Sequence, residues 1–86
     1  MDKDLVAKIE AEYQKVASTP QFHREVMGNY QGERYMLGYT VDQNGNPYIH
    51  VSVMPNTTQE FPKEISIGQY NVLIKVTKDF SLPWDE

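Results

Sequence analysis

The chain has 86 residues, a formal net charge of −4 and no cysteine. That length sets a single domain, and the missing thiols exclude disulfides, zinc–thiolate centres and cysteine nucleophiles. The eight Lys and Arg residues are scattered, which excludes the basic cluster that a nucleic-acid backbone requires, and no stretch approaches the roughly 20 apolar residues that span a bilayer. The 12% aromatic fraction, mostly six tyrosines, marks a folded chain. A core this small gains from self-association. The opening MDKDLVAKIEAEYQ is amphipathic and acidic, unlike a secretory signal, so the expected location is the cytoplasm.

Residues 4–18 read as a helix, because Leu5, Val6, Ile9, Tyr13 and Val16 recur at spacings of about three and four. Asp2 or Asp4 supplies its N-cap, and Lys8 and Glu12 stand four apart for a weak pair. Ser18-Thr19-Pro20 ends it, since proline disfavours the helical conformation of the residue before it. A second, shorter helix follows, with Thr19 as cap, Pro20 in the first turn and Gly28 as stop. Phe22, Val26 and Met27 face inward on it.

The period then changes to two. RYMLGYTV (34–41) and PYIHVSVM (47–54) read as strands, and DQNGN between them is a hairpin signal. The turn decides the register. A two-residue Asn44-Gly45 turn would set Tyr39 against His50 and place the apolar sets on opposite faces. A three-residue Gln43-Asn44-Gly45 loop pairs Asp42 with Asn46, Tyr39 with Ile49, Leu37 with Val51 and Tyr35 with Val53. Burial selects the second register, because a one-residue slip inverts a whole strand.

Residues 55–69 form a long connection in which Pro62 opposes a helix. Ile65 and Ile67 make a short edge strand or plug the core. YNVLIKVTK (70–78) is the next clear strand, with Tyr70, Val72, Ile74 and Val76 on one side. The fold class is therefore α+β: two N-terminal helices on one face of a mostly antiparallel three- to four-stranded sheet. The strand order stays open, since the connection can reach either edge.

The sheet face away from the helices carries Met36, Gly38, Thr40, Tyr48, His50, Ser52, Met54, Leu73 and Lys75. This mixture of Tyr, Met, Leu and one His is typical of the centre of a protein interface. The bland alternatives are a face half covered by the 55–69 connection and the tail, or tolerated surface apolar residues. A second apolar surface lies in DFSLPWDE (79–86), where Phe80, Leu82 and Trp84 stand among acidic residues at an end where chains are usually polar. They fold back on their own core, dock on a neighbouring copy, or form a linear motif for another protein.

Catalytic chemistry finds little support. His50 can serve as base or metal ligand, but His23 is the sole other histidine and no metal-ligand spacing joins them, so neither a metal nor a cofactor is expected. Glu60 and Glu64 are the nearest carboxylate pair, on a chain too small to frame a glycosidase cleft easily. Ser18, Ser52, Ser66 and Ser81 lack a nucleophile-elbow context, and Gly28 with Gly32 brackets no phosphate loop. The first helix is too acidic on its polar face for a membrane binder.

The expected function is a non-enzymatic interaction module, self-associating or bound to another protein, with Met36, Tyr48, His50, Leu73, Phe80 and Trp84 as contact residues. The alternative is a small-ligand binder with a tyrosine-lined pocket at an oligomer seam. An enzyme using His50 and a nearby carboxylate ranks last.

Residues 38–76 carry a further pattern: Pro47, Ile49, Val51 and Val53 as P-x-I-x-V-x-V, then Pro62 and Ile65, then Gly68 and Asn71 to Ile74. It resembles that of small bacterial α+β domains found alone or beside trypsin-like peptidase domains. Val72 and Ile74 sit one residue later than that pattern places them. The resemblance implies the α+β fold and, with no peptidase triad here, at most an accessory role.

Overall fold

The computed structural model describes residues 1–32 and 34–80. Helix α1 runs Lys3–Val16, with the Asp2 carboxylate accepting the Asp4 N–H at 3.0 Å as its cap. It stops two residues short of the expected end, in a turn that leads to the cap of the next helix. Its ion pair is Lys15–Glu12 at 3.1 Å, three residues apart, in place of the expected Lys8–Glu12 pair. Helix α2 runs Pro20–Met27; Thr19 Oγ1 accepts the Phe22 N–H at 3.3 Å, and Gly28 ends it at φ 59°. These are the boundaries that Thr19, Pro20 and Gly28 dictate.

Four strands follow: β1 Tyr35–Val41, β2 Pro47–Val53, β3 Glu64–Ile67 and β4 Tyr70–Thr77. They form one mixed sheet in the order β1-β2-β4-β3. The pairings β1–β2 and β3–β4 are antiparallel, while the central pairing β2–β4 is parallel. The long connection carries the chain back past β2, and the β3–β4 hairpin then sends β4 along the same direction as β2. Ile65 and Ile67 thus lie on an edge strand and are also buried, at 8% and 1% exposure.

The first hairpin adopts the expected register. Tyr35 pairs with Val53, Leu37 with Val51 and Tyr39 with Ile49. Asp42 N–H donates to the Asn46 carbonyl at 2.9 Å, and Gly45 N–H to the Asp42 carbonyl at 3.0 Å. Gly45 sits at φ 80°, the left-handed position that this loop demands. Asp42 Oδ1 also accepts from the Asn44 and Asn46 N–H groups, both at 2.9 Å.

One apolar cluster unites the elements: Ile9 and Tyr13 of α1, Phe22, Val26 and Met27 of α2, and Ile49, Val51, Val53, Ile65, Ile67, Val72 and Ile74 of the sheet. Ile49, Val51 and Val53 are 0% exposed. Tyr13 is the aromatic hub, edge-on to Phe22 at 5.9 Å and tilted against Tyr39 at 5.4 Å between ring centroids. The Tyr39 hydroxyl donates to the Val6 carbonyl at 3.3 Å. Burial pushes the Tyr13 hydroxyl above its ordinary pKa; burial and then the nearby Glu10 do the same to Tyr39.

Candidate functional site

Strand alternation sends the remaining side chains of the sheet to its other face. The register aligns them in rows: Thr40, Tyr48, Leu73 and Glu64 in one; Gly38, His50 and Lys75 in the next; Met36, Ser52 and Thr77 in the third. Of the residues that parity assigned to this face, Met36, Gly38, Thr40, Tyr48, His50, Ser52, Leu73 and Lys75 fall in these rows, whereas Met54 lies beyond the end of β2, which stops at Val53.

The first two rows, with Met36 of the third, hold the apolar and cationic part. Tyr48 is half-buried and lies beneath Lys75, whose Nζ stands 4.3 Å from the ring centroid. A cation over a tyrosine face at this distance is attracted by the ring quadrupole. Leu73 is the strand partner of Tyr48 and is 52% exposed. Met36, on the outer strand, is 64% exposed.

The third row holds a polar cluster. Thr77 Oγ1 donates to Asp79 Oδ1 at 2.7 Å. Its single proton is thereby used, so it accepts from His50 Nε2 at 3.0 Å. Ser52 Oγ lies 3.1 Å from Thr77 Oγ1 and donates to Asp79 Oδ1 at 3.2 Å. The Thr77 bond, with help from Ser52 and from the charge of His50, holds the Asp79 carboxyl below the usual carboxylate range. His50, Ser52 and Asp79 are a base, a hydroxyl and a carboxylate, but their order differs from that of a nucleophilic triad. Asp79 takes the two hydroxyl protons, and Thr77 stands between it and the imidazole; a triad needs the hydroxyl bonded to the base and the base to the carboxylate. Among the described residues no hydrogen bond joins Ser52 to His50.

The structure thus gathers four of the expected contact residues, Met36, Tyr48, His50 and Leu73, on one face. Phe80 is half-buried at the end of this sheet, where its N–H donates to the Val53 carbonyl at 3.1 Å. Leu82 and Trp84 lie outside the described residues. Thr77 and Asp79 were missed as partners of His50. Their parity matches that of Lys75, but only the parallel β2–β4 pairing sets Thr77 beside Ser52. His23 is turned elsewhere: its Nδ1 lies 2.7 Å from the Tyr35 hydroxyl and its Nε2 2.8 Å from the Ala17 carbonyl. Glu64 stands on the open face against Leu73, while Glu60 lines a groove beside Ile74 and Val76.

Among the described residues no group of three or more His, Asp or Glu side chains is placed to hold a metal. No helix there is long and apolar enough to cross a membrane. Comparison with family models, with curated proteins and with solved structures finds no match.

Proposed function

We propose that this chain is a non-enzymatic interaction module that associates with a second copy of itself, using the open sheet face and its β1 rim. The two helices take the other face: their buried side chains share one cluster with Ile49, Val51 and Val53. That leaves Met36, Tyr48, His50 and Leu73 facing outward. The observation that carries the reading is the exposure of large apolar side chains on this side and rim. Met36 is 64%, Leu73 52% and Val41 42% exposed. A small domain gains stability by burying such residues against a partner. The face carries both Lys75 and Glu64, so a second copy meets no single-sign field. The hydroxyl–carboxylate cluster supports a binding role over a catalytic one, since its hydrogen bonds lock Ser52 and Thr77 onto Asp79.

Light scattering across micromolar to millimolar concentrations tests this. The expected mass rises above the 10.0 kDa of one chain, and Met36→Asp weakens the association while the circular dichroism holds. A single-chain mass at every concentration overturns the reading.

A further inference from the structure

Taking self-association as read, we propose that two copies join through β1, edge to edge and antiparallel about a two-fold axis at Gly38, merging two sheets into one. Among the described residues β1 is an outer strand, paired on one side only. The bond from Asp42 N–H to the Asn46 carbonyl fixes which backbone groups are engaged. By the alternation of an antiparallel ladder, Met36, Gly38 and Thr40 turn their N–H and C=O groups toward β2. Tyr35, Leu37, Tyr39 and Val41 turn theirs toward the open edge.

Natural edge strands are protected by charge, proline, bulges or brevity. β1, YMLGYTV, has no charged residue and no proline, and its pairing with β2 is unbroken from Tyr35 to Val41. The opposite edge is blunted by contrast: β3 is four residues long and begins at Glu64. One edge of the sheet is guarded against pairing and the other is not.

The unguarded edge is also self-complementary. With Gly38 on the axis, Leu37 faces the partner's Tyr39, and Tyr35 the partner's Val41. All of these lie on the helix-side face, and each pair directs its backbone groups at the other strand. A one-residue slip would set an engaged backbone group against an open one and lose the ladder. In the chosen register Arg34 of one copy falls opposite the partner's Asp42 at each end, so opposite charges frame the junction. Burial points the same way. On β2, Ile49, Val51 and Val53 are 0% exposed, whereas Val41 on β1 is 42% exposed. Tyr35, Leu37 and Tyr39 are only half-buried. A neighbouring strand supplies the cover they lack.

Gly38 suits the axis. It forms a non-hydrogen-bonded pair with its own copy, the arrangement in which antiparallel Cα atoms approach to about 4.5 Å. Within one copy a Cβ at Gly38 would meet nothing within 4 Å, so a side chain can start there without a clash in the single chain.

The cysteine-free sequence makes Gly38→Cys a clean probe. The Cα separation at the axis falls within the disulfide range of about 4.4–6.8 Å. Mild oxidation at micromolar concentration should convert Gly38→Cys to a covalent dimer much faster than Ser66→Cys on the far edge. Gly38→Glu sets two carboxylates face to face and should weaken association about a hundredfold, with the melting curve of the single chain retained. If the wild-type chain associates, yet Gly38→Cys crosslinks no faster than Ser66→Cys or Gly38→Glu keeps full association, the β1 junction is wrong and self-association stands. If the wild-type chain stays single at every concentration, both readings fall.

Discussion

His23 Nδ1 and the Tyr35 hydroxyl lie 2.7 Å apart, which ties helix α2 to the outer strand β1. The far side of the ring reaches the Ala17 carbonyl at 2.8 Å. A carbonyl only accepts, so Nε2 carries the proton and, in the neutral ring, Nδ1 accepts from Tyr35. One imidazole therefore fixes the end of α1, α2 and β1 together. Tyr35→Phe keeps the ring and removes this bond, so it should cost about 1 kcal/mol in urea unfolding. An unchanged midpoint would show that the bond contributes nothing net.

Gly68 should not tolerate a side chain. It stands at φ 62° in the β3–β4 hairpin, and a Cβ there would come within 3.0 Å of Glu12 Oε2. The left-handed conformation alone costs a residue with a Cβ about 1–2 kcal/mol. Gly68→Ala should therefore lower the melting temperature, whereas Gly38→Ala, in open space, should leave it nearly unchanged.

Two neighbouring strands should respond very unequally to truncation. Ile49 is 0% exposed and Leu73 is 52% exposed. Ile49→Ala opens a cavity and should cost about 2–5 kcal/mol, a large share of the stability of so small a domain. Leu73→Ala should fall within about 0.5 kcal/mol. Equilibrium denaturation of both variants checks the contrast.

Acid should weaken the fold through Asp42 and Asp79. The Asn46 N–H, followed by that of Asn44, lowers the Asp42 carboxyl. The Thr77 hydroxyl, followed by that of Ser52, lowers Asp79. Both are depressed in the folded state, so their stabilisation is complete above the unfolded carboxylate pKa of about 4 and is lost as pH falls through the lower folded values. The unfolding midpoint should drop below about pH 4, and the double variant Asp42→Asn, Asp79→Asn should flatten that drop. A wild-type profile as flat as the variant's would contradict these roles.

Much of the fold was legible in the sequence for local reasons. The hairpin register followed from burial alone, because only a loop ending at Gly45 puts Tyr39, Leu37 and Tyr35 on the same side as Ile49, Val51 and Val53. Thr19, Pro20 and Gly28 likewise bounded α2. The strand order was not legible, since the connection from Pro55 to Lys63 has no pattern that selects an edge. The His50–Thr77–Asp79 cluster depends on that order and was hidden with it. Of the residues behind the resemblance drawn from the sequence, Pro47, Ile49, Val51, Val53, Ile65, Val72 and Ile74 are buried, whereas Pro62, Gly68, Asn71 and Leu73 are exposed. The buried ones report packing, and the open face around Met36 and Tyr48 belongs to the proposed interaction surface.

The most direct test of the central claim is an isotope-filtered NOE measurement on an equal mixture of labelled and unlabelled chain. The β1 junction predicts an intermolecular contact between the Gly38 Hα protons of the two copies, since such protons approach closely at a non-hydrogen-bonded antiparallel pair. Intermolecular contacts confined to Tyr48 and Leu73, with none at Gly38, would contradict it.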